Sequence, residues 1–267
     1  MKIKFSTGDV EVESCTLVDF SALAYSIYYR CVFILNKRWD GEIQPPADML
    51  IKQAKSKLNL IYEITKLPIV LVLDAGRSNK NELLGGGYKE QRKPLPINPV
   101  KIIGESLIKK HISVFCQGEE ADDAIATLVY KIRQKGNICH ICCSDQDIYQ
   151  IKNKDTKILH INKLQYITKK DLVAKYGVDK WYKIVWYKCL FGDPSDNIPT
   201  LMYRIRRKPI VQVLNKYNKW KKVVNYVIKN YQIPKEQLEN RYKAIKLKKN
   251  LNVVRLVKCG NFFDCRF

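Results

Sequence analysis

Nine carboxylates stand at recurring places along the chain. Asp19 follows the run Cys15-Thr16-Leu17-Val18, and Asp74 follows Ile69-Val70-Leu71-Val72-Leu73. Glu120, Asp122 and Asp123 come just after Ile112-Ser113-Val114-Phe115-Cys116. Asp145 and Asp147 follow Ile138–Cys143, and Asp193 and Asp196 lie in a later stretch, Gly192–Pro199. Crowding like charges is costly unless cations neutralise them. All-oxygen ligands suit Mg²⁺ or Mn²⁺ rather than zinc. Mg²⁺ keeps several waters and takes few carboxylates directly, so these acids could serve two ions, directly and through water. Two such ions stabilise both the attacking and the leaving oxygen in phosphodiester cleavage. Taken singly, an Asp after a strand is an ordinary cap or turn residue, and acids that open a helix suit its dipole. The set weighs more than its members, because four strand ends and a loop repeat the feature.

The elements that must position these acids are also legible. The apolar runs are nearly continuous, as expected for strands buried on both faces of a parallel sheet. Helical patterns lie between them, over Leu50–Thr65 and over Glu120–Gln134, the second stopped by Gly136. Strand alternating with helix predicts an α/β domain with right-handed crossovers. Sites in such sheets form beyond the carboxyl ends of the strands, so the acids should converge in one cleft. Composition shifts after about residue 175, and Ile198–Pro234 holds no Asp or Glu but many Lys and Arg. This predicts a boundary near 165–180 between an α/β part (1–175) and a basic helical part (176–267).

The chain has 267 residues, 48 Lys plus Arg and 26 Asp plus Glu, a net charge of +22. Such an imbalance points to a polyanionic partner: nucleic acid first, an anionic membrane surface second. No run of 18 apolar residues exists to cross a membrane, and Met1–Asp9 lacks the apolar core of a signal peptide. An intracellular, non-secreted protein is expected. Nine scattered cysteines then read as free, mostly buried thiols. Cys139-His140-Ile141-Cys142-Cys143 could suggest zinc, but a buried strand would split those ligands between two faces. His111, His140 and His160 are isolated and receive no role. Trp181, Tyr182, Trp186 and Tyr187 read as core of the helical part.

Three stretches carry a resemblance. Gly118-Glu119-Glu120-Ala121-Asp122-Asp123, Ser144-Asp145-Gln146-Asp147 and Gly192-Asp193-Pro194-Ser195-Asp196-Asn197-Ile198-Pro199 occur in that order. With Leu17-Val18-Asp19 and Leu73-Asp74-Ala75-Gly76, they resemble the 5′-nuclease superfamily of phage 5′→3′ exonucleases, flap endonucleases and the 5′-nuclease domain of bacterial DNA polymerase I. The resemblance covers about residues 14–200. It implies a PIN-like, Rossmann-like, mostly parallel sheet with a helical arch over about 76–110, followed by a helix-hairpin-helix-type DNA-binding module. It implies hydrolysis near 5′ ends of DNA, at flaps and nicks, and on RNA primers or RNA/DNA hybrids, with two Mg²⁺ and Mn²⁺ able to substitute. Asp19, Asp74, Glu120, Asp122 and Asp123 match the first metal group, and Asp145, Asp147, Asp193 and Asp196 the second. Tyr88, Lys89 and Arg92, in Gly87-Tyr88-Lys89-Glu90-Gln91-Arg92-Lys93-Pro94, match the arch. There Tyr88 would stack on a base while Lys89 and Arg92 hold the scissile phosphate. Lys188 matches a further basic position beside the site. A monomeric enzyme without a polymerase domain is expected.

Two departures stand out. Phe20 occupies a position that is often Gly, which predicts altered packing. After Pro199 the family continues with three glycines that form a hairpin whose backbone, with a monovalent cation, holds duplex phosphates. Here the sequence is Thr200-Leu201-Met202-Tyr203-Arg204-Ile205-Arg206-Arg207-Lys208, with no glycine. Arg204, Arg206, Arg207 and Lys208 are expected to hold phosphates by side chain instead, which makes the monovalent cation doubtful and duplex binding salt-sensitive. Gly260-Asn261-Phe262-Phe263-Asp264 has the paired aromatics of a sliding-clamp peptide but no anchoring Gln, so docking into the core is expected. A catalytically silent junction-binding protein on the same fold is the alternative; its mark would be missing acids, and none is missing.

Overall fold

The computed structural model describes the backbone of residues 2–5 and 8–11, and residues 14–36, 43–76, 79–91 and 94–256 in full. Lys2–Phe5 (β1) and Gly8–Glu11 (β2) pair as an antiparallel ribbon. Next come Cys15–Asp19 (β3), Phe20–Asn36 (α1), Ala47–Thr65 (α2), Ile69–Val72 (β4), Lys80–Leu83 (α3), Pro99–Leu107 (α4) and Ile112–Phe115 (β5). Ala121–Gln134 (α5), Cys139–Cys143 (β6), Thr156–His160 (β7) and Gln165–Tyr166 (β8) follow. Helices then dominate: Lys169–Tyr176 (α6), Lys183–Phe191 (α7), Arg207–Lys216 (α8), Trp220–Tyr231 (α9) and Lys235–Ile245 (α10), before Val254–Leu256 (β9).

Seven strands form one mixed sheet in the order β8-β7-β6-β3-β4-β5-β9. The five inner strands are parallel, and β8 and β9 join antiparallel at the two edges. The chain leaves β3 toward β4 on one side and reaches β6 on the other, so the order reverses at β3. A crevice is therefore expected at the carboxyl ends of β3 and β6.

Alternation along the strands feeds two cores. Val70 and Val72 face one and Leu71 and Leu73 the other, which is why the runs read as continuously apolar. Cys139 and Cys143 join the first core and Cys142 the second, so the zinc ligands are split between faces. The seven cysteines among the described residues are free and buried. Phe20 is fully buried in the second core, with α1, α2 and α4. Helix α5 buries residues almost all round, because it lies on the sheet and the segment after α10 covers it, with Thr127 and Lys131 bonding the carbonyls of Lys248 and Leu251. That first core runs on without a break through Ile184, Trp186, Ile210, Leu238 and Val253, past the expected boundary near 165–180. The last described segment returns to the sheet as β9.

The segment expected as a helical arch differs. Among the described residues of 76–110, helix is confined to α3 and α4, and α4 packs on α1 and α2. Gly85, Gly86 and Gly87 have φ of 77°, 93° and 77°, which no right-handed helix continues. Gly260–Asp264 lie outside the described residues.

Candidate active site

Each acid is set by the backbone around it. Asp19 ends β3, and its Oδ1 accepts from the Ala22 N–H at 2.9 Å, capping the first turn of α1. Asp74 lies two residues beyond β4, and its Oδ1 accepts from the Ala121 N–H at 2.8 Å, tying that strand end to the start of α5. Asp145 Oδ1 accepts from the Asp147 N–H at 2.8 Å, and Asp193 Oδ1 from the Ser195 N–H at 3.0 Å. Two glycines let these loops close. A Cβ on Gly76 would lie 2.5 Å from the Gly118 carbonyl carbon, where the Ala75 N–H donates to the Glu119 carbonyl at 2.9 Å and the Gly118 N–H to the Ala75 carbonyl at 3.0 Å. A Cβ on Gly192 would lie 2.3 Å from the Ile198 carbonyl oxygen, and Asp193 and Ile198 pair across that turn at 2.8 and 2.9 Å.

The result is one groove of about 1620 Å³. Asp19, Asp74, Glu120, Asp122, Asp145 and Asp193 line it, together with Lys89 and Lys188. Asp147 and Asp196 are buried, and with Asp193 they bring one carboxylate oxygen each within 4.8 Å of one another. Asp123 stands apart: it is fully buried, and its Oδ1 accepts from the Lys248 N–H at 2.7 Å.

Lysines balance part of this charge. Lys80 and Lys89 both bond to Glu120, and Lys80 Nζ also lies 3.4 Å from Asp123 Oδ2 and 3.7 Å from Asp122 Oδ1. Lys188 bridges Asp147 and, at 2.6 Å, Asp193. Burial pushes the Glu120 carboxyl up, but Lys80 and then Lys89 outweigh it and hold it at about 2. Asp19, Asp74 and Asp145 form no ion pair among the described residues. Burial first and Asp74 second raise Asp19 to about 7. Burial also raises Asp147 to about 6, against the pull of Lys188. Burial lifts Asp122 well above the usual carboxylate range. Asp123 Oδ2 has no hydrogen-bond partner. An all-oxygen set of buried, incompletely balanced carboxylates fits a hard divalent cation.

Tyr88 does not offer a ring for stacking. It is 4% exposed, and its hydroxyl donates to Glu120 Oε2 at 3.0 Å, because its segment folds down over the acids. The Lys89 N–H bonds the Asp196 carbonyl at 3.3 Å, and Asn197 Nδ2 bonds the Gly87 carbonyl at 2.8 Å, holding it there. Arg92 lies outside the described residues. Lys80 was missed in the sequence: its only signal was a Lys between Asp74 and Tyr88, one of 48 basic residues.

At the far end, Arg204, Arg206, Arg207 and Lys208 are all exposed, just before and at the start of α8. The Ile205 N–H closes a turn onto the Met202 carbonyl at 3.1 Å, with Arg204 at φ 60°. The Arg204 guanidinium lies 5.2 Å from the centre of the Tyr203 ring. Arg207 stacks on Tyr187 at 4.9 Å and lines the groove.

A family model described as "5′-3′ exonuclease, N-terminal resolvase-like domain" matches residues 14–177. The chain belongs to this family. It is 30% identical over 232 residues to the 5′-3′ exonuclease of Buchnera aphidicola subsp. Schizaphis graminum, which spans 84% of this chain and 78% of that one. It is 32% identical over 198 residues to the 5′-3′ exonuclease of Aquifex aeolicus, 69% of this chain and 66% of that one. Its fold is similar to that of a bacteriophage T5 flap endonuclease solved with DNA and metal ions: TM-score 0.65, 15% identity, 87% of this chain and 88% of that one. As a member of the 5′-3′ exonuclease family, the chain is a 5′ nuclease. Lys188, Asp193 and Asp196 lie beyond the family model's match, yet the fold brings all three to the acids of β3 and β6.

Proposed function

We propose that this 5′ nuclease hydrolyses DNA phosphodiesters near 5′ ends, at flaps and nicks, and acts on RNA/DNA hybrids as well. The observation that carries the reading is the convergence of eight carboxylates from strand ends and one later loop around a single groove of a strongly basic chain. Asp19, Asp74, Glu120 and Asp122 would hold one divalent ion, and Asp145, Asp147, Asp193 and Asp196 another, Mg²⁺ or Mn²⁺. Asp123, turned toward Lys248, supports the first group from behind. Such ions would activate water and stabilise the leaving oxygen.

The chain's own residues do the rest. Backbone N–H bonds fix one oxygen of Asp19, Asp74 and Asp145 and leave the other for the groove. Tyr88 orients Glu120. Lys89 and Lys188, at the groove wall, hold the substrate phosphate and offset its charge; Arg92 extends that grip. The helical part, 176–267, holds the duplex through Arg204, Arg206, Arg207 and Lys208 in place of a glycine hairpin and its monovalent cation. The enzyme works as a monomer inside the cell, in replication or repair.

The test is a 3′-labelled 5′-flap duplex and a matching nicked duplex, each with Mg²⁺ or EDTA. Cleavage near the flap base that needs Mg²⁺ and disappears in Asp145→Asn/Asp147→Asn is the expected result. Tight binding without cleavage in Mg²⁺ or Mn²⁺ would make the chain a silent junction-binding protein instead.

A further inference from the structure

Four lysines are buried among the described residues: Lys57, Lys80, Lys183 and Lys188. Three have a carboxylate partner: Lys80 and Lys188 in the acid groups, and Lys183 on Asp179 at 2.8 Å. Lys57 has none. It lies on α2, 8% exposed, and its Nζ donates to Ser26 Oγ of α1 at 2.9 Å. Among the described residues, the titratable groups that face it are the Cys142 thiol, Arg30 and His160, none of them a standing anion. Burial disfavours its charged form, against a pull from Cys142 and with a push from Arg30. A desolvated ammonium with no counter-charge is expensive to keep.

Ser26 gives this cation an outlet. Ser26 lines the same groove as Asp19 and Asp145, with Tyr25, Tyr29 and Asn162 beside it. Its hydroxyl accepts from Lys57, so its own proton is free to be donated, and Lys57 has two further N–H groups. Seven residues of helix put Ser26 about 10 Å from Asp19 along α1.

We propose that Ser26, on the groove wall, and Lys57, buried directly behind it, form a phosphate subsite in which a phosphate of the bound strand accepts from the Ser26 hydroxyl and the Lys57 ammonium supplies the charge that holds it. The subsite rests on the reading of the groove as a nucleic-acid cleft. It gives the strand an anchor on the α1 side of the groove. Lys57 is a positioning residue, remote from the reacting atoms.

The test is fluorescence anisotropy of the full chain in EDTA, with a nicked duplex carrying either a 5′-phosphate or a 5′-hydroxyl at the nick. Lys57→Met should weaken binding about tenfold, the worth of one charge-assisted hydrogen bond. It should also reduce the slope of log K against log salt by about 0.7–0.9. Lys57→Arg should keep the slope, and Ser26→Ala should weaken binding less. The melting temperature of Lys57→Met should not fall, since an unpaired buried charge is removed. A penalty confined to the 5′-phosphate substrate would assign the subsite to a terminal phosphate; an equal penalty on both would assign it to an internucleotide one. A Lys57→Met protein that melts lower but binds DNA with wild-type affinity and slope would make the lysine purely structural and overturn the proposal. Wild-type cleavage alongside that result would leave the nuclease reading intact, whereas wild-type failure to bind DNA would sink both.

Discussion

The acid floor and the basic turn before α8 are built on opposite plans. In the floor, Asp19, Asp74, Asp145 and Asp193 each give one oxygen to a backbone N–H, and the residues around them are buried. In the turn, Arg204, Arg206, Arg207 and Lys208 are exposed, and Arg204 sits at a φ of 60° that glycine would adopt freely. Chemistry on a phosphodiester needs groups held within a fraction of an ångström, so its residues are fixed by strands and caps. Phosphate grip along a duplex needs charge more than geometry, and long exposed side chains supply it.

The largest effect expected from breaking this contrast is at Lys188. Removing one partner of a buried ion group leaves charges stranded, at a cost of about 3–5 kcal/mol. Lys188→Met, which strands Asp147 and Asp193, should therefore lower the melting temperature sharply in EDTA. Added Mn²⁺ should restore part of the loss by supplying the missing cation. Calorimetry of the variant with and without metal checks this; an unchanged melting temperature would show that the floor does not depend on its lysines.

Next in size is the turn. Neutralising Arg204, Arg206, Arg207 and Lys208 together should leave kcat near wild type and raise KM. The salt slope of duplex binding should fall by about 3–4, since each phosphate contact contributes about 0.9. A near-flat change would mean that these side chains do not hold the duplex.

A smaller effect separates the acids from one another by pH. Asp19 at about 7 and Asp147 at about 6 hold their protons more tightly folded than unfolded, where 3.8 is usual. Through these two groups the folded state binds more protons, and their contribution to stability falls as pH rises from about 4 to about 7, against an opposite contribution from His111, His140 and His160, whose charged forms burial disfavours. Glu120, held at about 2, works oppositely, but its contribution is lost only as pH falls from about 4.5 toward 2. Melting in EDTA should drop by several degrees between pH 4.5 and 7.5. The stabilisation by Mn²⁺ should grow over the same interval, because metal competes with protons for the carboxylates. A flat EDTA profile would contradict the burial assigned to Asp19 and Asp147.

How much of this could be read from residues alone follows the same division. Strand ends and their acids were legible because period and residue type are local: β3 to β6 and the helices α2 and α5 fall where the apolar runs place them. Three features were not. Tyr88 turns inward because Asn197 and Asp196, more than 100 positions away, hold its segment down. Lys80 joins the acids through a four-residue helix too short to leave a pattern. The strand β9 returns to β5 from the far end of the chain, a pairing no local period encodes.

The smallest effect is the sharpest test of how the turn works. Arg204→Gly removes a positive-φ strain of about 1–2 kcal/mol. It also adds about 0.4–1 kcal/mol of unfolded-state freedom and gives up an exposed contact with Tyr203 of about 0.5–1 kcal/mol. These offset to within about 1 kcal/mol, so the melting temperature should barely move. Duplex binding discriminates between the two designs. If phosphates are held by side chains, the variant binds more weakly and its salt slope falls by about 0.9. If the turn instead presents backbone N–H groups, restoring glycine leaves affinity intact or improves it, and the strain at Arg204 would then be a cost with no return in binding.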